Sequence, residues 1–206
     1  AERFAVCPKS GDIFIYMGGE TQQIFKYDKN FHKIAEFGRQ GGRLQGEYNP
    51  EDFAGVSDIA ADEHGGFIIT EPATAPRRLA RFSGDGKLVW EWYGGQAFFA
   101  HVCQDPKMKD RFWFESGASL VEVQADWNNK SWKILRIYDL PQVENITLRR
   151  GHYSSRWKVR WHNDKQYFLH AQCIVILEID TLQNRLVPVV YSYFDRFFRH
   201  RLDTQP

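Results

Sequence analysis

Arg149, Arg150, Arg156, Lys158, Arg160 and Lys165 share one stretch of chain with Tyr153, Trp157 and Trp161. Cationic side chains meet phosphates and aromatic faces stack on bases, so the combination suits single-stranded nucleic acid. It suits an acidic protein or a glycan as well. A plainer account fits the same residues. In Trp157-Lys158-Val159-Arg160-Trp161, apolar and charged residues alternate. A strand would pack Trp157, Val159 and Trp161 and leave Lys158 and Arg160 in water. The candidate binding strip is therefore Arg149, Arg150, Arg156, Trp157, Lys158, Arg160 and Trp161.

A second set comes from counting back from Asp62, Asp105 and Asp164, each of which follows a short strand-like run. Asp58, His101 and Arg160 then fall at one level. A carboxylate, an imidazole and a guanidinium converging on one point can hold a small anion or a metal ion. A catalytic metal would need several histidines at that level, and His101 stands alone there. His32, His64, His152, His162 and His170 form neither H-x-H nor H-E-x-x-H spacing. No metal or cofactor is expected. Gly65-Gly66 and Gly84-Asp85-Gly86 read as hairpin glycines, because no helix start follows them to cradle a phosphate. Glu71 and Glu115 both end second strands, which does not define a catalytic carboxylate pair.

The elements that would position these residues are strands. Phe4–Cys7, Ile13–Tyr16, Gln23–Tyr27 and Lys33–Phe37 form one group of four, with Pro8-Lys9-Ser10-Gly11 and Asp28-Lys29-Asn30 as turns. Val56–Ala61, Phe67–Thr70, Leu79–Phe82 and Leu88–Tyr93 repeat the order. Phe99–Cys103, Arg111–Glu115, Ser119–Val123 and Trp132–Tyr138 form a looser third group. Trp157–Trp161, Tyr167–His170, Ile174–Ile179 and Val187–Tyr193 form the fourth. A unit of four short strands recurring every 40–50 residues or so is the signature of a β-propeller blade. The blades are expected near 4–38, 56–95, 99–138 and 157–193 of a single propeller domain or segment spanning 1–206. In such a fold the first strands line a central channel, which puts Asp58, His101 and Arg160 on its wall. A β-sandwich of similar strands is the alternative.

Composition agrees with an all-β globular chain. Of 206 residues, 43% are hydrophobic and 16% are aromatic, which favours strands over disorder or helix. The net charge of +1 argues against a dedicated electrostatic nucleic-acid binder, although residues 104–206 hold 16 Lys+Arg against 12 Asp+Glu. Three cysteines, Cys7, Cys103 and Cys173, make no disulfide framework and no C-x-x-C. Cys7 and Cys103 stand just before matching turns and are expected as buried small hydrophobes. No apolar run approaches the roughly 18 residues of a membrane span. The Ala-Glu-Arg start suits a processed form or a piece of a longer protein. Asn129-Lys130-Ser131 and Asn145-Ile146-Thr147 match the glycosylation sequon. An extracytoplasmic location is favoured marginally over the cytoplasm.

Gly46-Glu47-Tyr48-Asn49-Pro50 followed by Val56-Ser57-Asp58-Ile59-Ala60-Ala61-Asp62, then Gly66-Phe67-Ile68-Ile69-Thr70, resembles the NHL repeat. Arg78-Leu79-Ala80-Arg81-Phe82 through Gly84-Asp85-Gly86-Lys87 is similar to the second half of that repeat. Gly11-Asp12-Ile13-Phe14-Ile15 and Ile24-Phe25-Lys26-Tyr27-Asp28 carry it into the first unit. The third and fourth units lack the proline and the D-x-x-G turn. The resemblance implies a propeller, most often of six blades, of which this chain supplies about four in what can be an incomplete ring. It also implies the range of roles that such propellers fill. Some bind RNA, one amidating lyase holds a metal on channel histidines, and many bind proteins. An unclosed stack leaves apolar blade faces uncovered at its ends. Completion by further chain, or by a second copy in a homo-oligomer, is therefore expected. The reading favoured is a non-catalytic protein-binding and scaffolding propeller in a larger assembly. Its alternatives are a metal-dependent lyase or hydrolase at the channel, and RNA binding on the basic-aromatic face.

Overall fold

In the computed structural model the described residues are 2–73, 75–94, 102–116, 119–140, 157–170 and 175–191. Among them every regular element is a strand, and no helix is long and apolar enough to cross a membrane. The chain forms two compact units. The first comprises residues 1–44 and 48–98, the second 45–47 and 99–206.

The first unit holds two four-stranded antiparallel sheets, each in sequence order. Sheet one is β1 (Arg3–Val6), β2 (Ile13–Met17), β3 (Gln23–Tyr27) and β4 (Lys33–Phe37). Residues Gly46–Glu47 are β5. Sheet two is β6 (Asp58–Ala61), β7 (Phe67–Glu71), β8 (Arg78–Phe82) and β9 (Leu88–Tyr93). The second unit holds sheet three and sheet four. Sheet three runs β10 (Val102–Gln104), β11 (Arg111–Ser116), β12 (Ser119–Asp126) and β13 (Ser131–Asp139), and β5 adds a fifth strand beside β13. Sheet four runs β14 (Trp157–His162), β15 (Lys165–His170), β16 (Val175–Asp180) and β17 (Arg185–Tyr191).

Four consecutive antiparallel meanders of four strands are propeller blades, and the fold is an all-β, propeller-bladed one. Three details tie the four sheets together as copies. In each, a bulge interrupts the pairing of the third strand with the fourth: at Lys26/Tyr27, Arg81/Phe82, Glu122/Val123 and Ile176/Leu177. A bulge adds twist, which the outer edge of a blade needs. In each, the turn between those strands carries one residue at positive φ: Phe31, Gly86, Lys130 and Asn184. Within each unit the first strands are neighbours. Arg3 Nε donates to Ser57 O at 2.6 Å beside β6, and Val159 N of β14 donates to Cys103 Sγ of β10 at 3.4 Å.

Each unit closes over its own core. Sheets one and two bury Phe14, Tyr16, Ile24, Phe67, Ile69 and Phe82. Phe67 is the hub, with its ring 5.0 Å from Phe14, 5.1 Å from Phe82 and 5.7 Å from Phe37. Sheets three and four bury Trp113, Leu120, Tyr138, Trp157, Phe168 and Leu177. Cys7 and Cys103 are free and buried at equivalent places in the two cores, as expected. Strand limits differ from expectation in small ways. β6 begins at Asp58 rather than Val56, and β17 spans 185–191 rather than 187–193. β15 starts at Lys165 because Asn163 and Asp164, at φ 45° and 58°, make the whole turn. Both residues tolerate the left-handed region of a two-residue hairpin. Strand β5 was not foreseen. It is a two-residue segment whose pairing cannot be read from its own length.

Candidate functional site

The third sheet carries apolar residues on both faces. Trp113 and Leu120 point to the core shared with sheet four. Val102, Phe112, Phe114, Val123 and Ala125 alternate with them and point to the other face. There they line a groove of about 480 Å³, extended by Trp127 and Trp132 from the β12–β13 hairpin. Trp127 is 66% exposed and meets the Phe112 ring edge-on at 5.6 Å. Val102 is 55% exposed. Lys130 and Asp126 sit at the rim. The Asp126 carboxylate accepts from Asn128 N, Asn129 N and Asn129 Nδ2, and these bonds hold its carboxyl below the usual carboxylate range. The hairpin tip that presents Trp127 is thereby fixed by its own side chain.

Polar residues inside the first unit form a buried ionic cluster. Glu71 Oε2 accepts from Arg78 Nε at 2.5 Å and Arg43 Nη2 at 2.7 Å, and Oε1 accepts from Ala54 N at 2.6 Å. Arg78 donates onward to Pro50 O, Asp52 O, Tyr48 Oη and Glu91 Oε2. The side chains of Glu71 and Arg78 are fully buried. Burial works against the Arg78 charge, but Glu71 beside it more than compensates and holds the guanidinium protonated. Tyr48 and Tyr93 are pushed above the usual phenol range, first by burial, and both donate to Glu91. Every charge here serves to hold the 43–55 loop on sheet two. The chemistry is structural. The second unit has a smaller counterpart: Glu122, 1% exposed, accepts from Arg111 Nη1 at 3.2 Å and Arg136 Nη1 at 2.6 Å.

A polar hollow of about 310 Å³ in the first unit is lined by Glu36, Arg39, Glu51, Asp52, Asp85 and Lys87. Its charges are largely paired with one another, Arg39 with Asp52 at 3.2 Å and Lys87 with Glu51 at 3.0 Å. Among the described residues no group of three or more His, Cys, Asp or Glu is arranged to hold a metal ion.

Of the expected strip, Arg149, Arg150 and Arg156 lie outside the described residues. Trp157 is 2% exposed, with its ring 5.5 Å from Phe168 inside the second core. Lys158 and Arg160 are exposed on the opposite face of β14, as alternation requires. Trp161 is half-buried. Its Nε1 donates to Asp105 at 2.9 Å and Lys107 Nζ lies 4.5 Å over its ring. Of the expected channel set, Asp58 is exposed at the start of β6 in the first unit and Arg160 belongs to the second unit. His101 lies outside the described residues. The groove residues were missed. Their signal is the Leu120-Val121-Glu122-Val123 run and Arg111-Phe112-Trp113-Phe114, which put apolar side chains on both faces of one sheet.

No protein-family model matches the chain, and no curated protein matches it. Solved structures do. A structural-genomics protein of Lactobacillus plantarum is 11% identical, with 93% of this chain and 70% of that one covered at a TM-score of 0.29. A nidogen/laminin complex gives 9% identity, 93% and 79% coverage and a TM-score of 0.30. Likenesses of that size say nothing further about this chain.

Proposed function

We propose that the chain is a non-catalytic, protein-binding propeller segment of the NHL kind, working as a component of a larger assembly. One observation carries the reading: the apolar groove on the outer face of sheet three. Water-exposed apolar patches of this kind mark interaction surfaces. Trp127 and Trp132 supply the residue type most enriched among interface anchors. The groove is almost wholly apolar along the strands and charged only at the rim, the layout of a protein–protein contact centre. Its occupant is a protein segment presenting apolar side chains, not a small polar ligand, because the lining offers few hydrogen-bonding groups to orient one.

The test places a photo-crosslinking benzoylphenylalanine at Trp132, with a control at exposed Glu63, in the protein within its native source. The expected result is one saturable adduct at Trp132 between this chain and another polypeptide, competed away by unlabelled chain. An adduct confined to the same chain would make the groove an internal joint, and labelling no stronger than at Glu63 would leave it unoccupied. Either result overturns the proposal.

A further inference from the structure

Sheet one is apolar on both faces as well, and its second face is open. Ala5, Phe14, Tyr16, Ile24 and Phe37 face sheet two in the first core. The alternate residues of the same strands are Phe4, Val6, Ile13, Ile15, Phe25 and Tyr27, brought side by side by the pairings Phe4↔Ile15, Val6↔Ile13, Ile15↔Phe25 and Ile13↔Tyr27, with Ile13 buried among them. Phe4 is 70% exposed and Val6 51%. Ile15, Phe25 and Tyr27 are half-buried. At the outer margin Lys33 pairs with Glu36, and Lys33 Nζ lies 4.9 Å over the Phe25 ring. The face is thus an apolar centre with a zwitterionic border.

We propose that this face pairs with the same face of a second copy of the chain, in a two-fold symmetric sheet-on-sheet contact. Two observations choose that occupant. The contact continues an interface already present, since the same sheet stacks against a four-stranded sheet on its other side. Sheets stacked face to face are about 10 Å apart and interdigitate their side chains. The border is self-complementary: two-fold symmetry sets Lys33 of one copy toward Glu36 of the other, with no net charge to repel. A head-to-tail contact using the open face of sheet four fails that criterion. That face carries the exposed Lys158 and Arg160 beside Leu169 and Tyr167, and desolvating two cations on an apolar surface is unfavourable. Area sets the strength. Four strands about 4.8 Å apart and five residues of about 3.3 Å each cover roughly 300 Å² in plan. That is small beside a standard interface, so the pairing is weak and reversible.

The inference rests on reading open blade faces as protein-binding surfaces. Sedimentation equilibrium of the purified full chain from 1 to 200 µM tests it. The expected result is a reversible monomer–dimer equilibrium, weakened at least tenfold by Phe4→Asp with Val6→Asp. Because that pair could disturb β1, two border variants accompany it. Lys33→Glu and Glu36→Lys should each weaken self-association at low salt, and an equimolar mixture of the two should restore it as a heterodimer. A chain that stays monomeric at 200 µM overturns the inference, as does a dimer indifferent to Phe4→Asp with Val6→Asp or a mixture that fails to restore pairing. A monomer that still crosslinks another protein at Trp132 overturns this inference alone and leaves the reading of the groove standing.

Discussion

Glu71 holds the first unit's longest loop in place, and its replacement separates two kinds of loss. Two guanidinium groups and the Ala54 amide converge on its carboxylate, and the Arg43 and Arg78 side chains are 4% and 0% exposed. Removing the anion leaves Arg43 with carbonyl acceptors alone and Arg78 with Glu91 as its one carboxylate partner. Breaking a buried ion pair from one side costs about 3–5 kcal/mol. Glu71→Ala should therefore lower the unfolding free energy of the first unit, read from its urea titration, by that amount, and Glu71→Gln, which keeps one of the two acceptor oxygens, by less. Restoring part of the loss by adding Arg78→Met would confirm that stranded charge is the cause. A shift under about 1 kcal/mol for Glu71→Ala would mean that the loop is held elsewhere. The cluster was legible in part. Period-two alternation puts Glu71 on the face of Phe67 and Ile69, and Arg78 on the face of Ala80 and Phe82, and a carboxylate on a core face must be paired. What sequence could not supply is Arg43 and the carbonyls of Pro50 and Asp52, which reach the cluster from a loop of no regular period. The same alternation correctly set Trp157 inward and Lys158 outward. The partners of Trp161, Asp105 and Lys107, come from a different sheet and could not be counted along the strand.

At the scale of elements, the hairpins between third and fourth strands show why repeat two was the easiest of the four to read. All four use one device. A side-chain oxygen at the first turn position accepts backbone N–H groups ahead of it: Asp28 from Asn30 and His32, Ser83 from Lys87, Asp126 from Asn128 and Asn129, Asp180 from Leu182 and Gln183. A residue three or four positions on takes positive φ. In repeat two that residue is Gly86, and the sequence announces the turn. In repeats three and four it is Lys130 and Asn184, so the turn glycine is lost while the geometry persists. In repeat one it is Phe31, at φ 65° and 71% exposed, a bulky residue in a region that disfavours side chains by about 1–2 kcal/mol. Phe31→Gly relieves that strain and loses about 0.5–1 kcal/mol to the greater freedom of the unfolded glycine. The expected net gain is about 0.5–1 kcal/mol, read as a raised urea midpoint with unchanged slope. A loss of stability would show that the Phe31 ring contributes packing that outweighs its backbone strain.

At the scale of the molecule, the chain makes two cores rather than one. Phe14, Phe37, Phe53, Phe67 and Phe82 belong to the first, Trp113, Tyr138, Trp157 and Phe168 to the second, and among the described residues none is shared. Nothing in the strand pattern announced that partition, because a sequence of equal repeats gives no reason to group them in pairs. Blades depend on neighbours for burial, so a lesion in one sheet should spread to the sheet stacked on it before any other. Phe67 is the residue to remove, since four rings pack around it. Phe67→Ala costs about 3–5 kcal/mol in cavity and lost burial, a large part of the stability of a domain this size. Hydrogen exchange of that variant should show β2, β3, β7 and β8 losing protection together, while β15 and β16 keep theirs. Strand β5 is the exception to watch. It pairs Gly46 with Ile137 and Glu47 with Arg136 in sheet three, yet the residues on either side of it, 44 and 48, belong to the first unit. When the first unit melts, both flanks of β5 become free chain, and two residues of ladder cannot hold against that entropy. Whichever of the amides at 136 and 137 points to β5 rather than to β12 should therefore exchange with the first unit, ahead of the rest of sheet three. Loss of protection at β15 and β16 in step with β7 would mean that the two cores unfold as one.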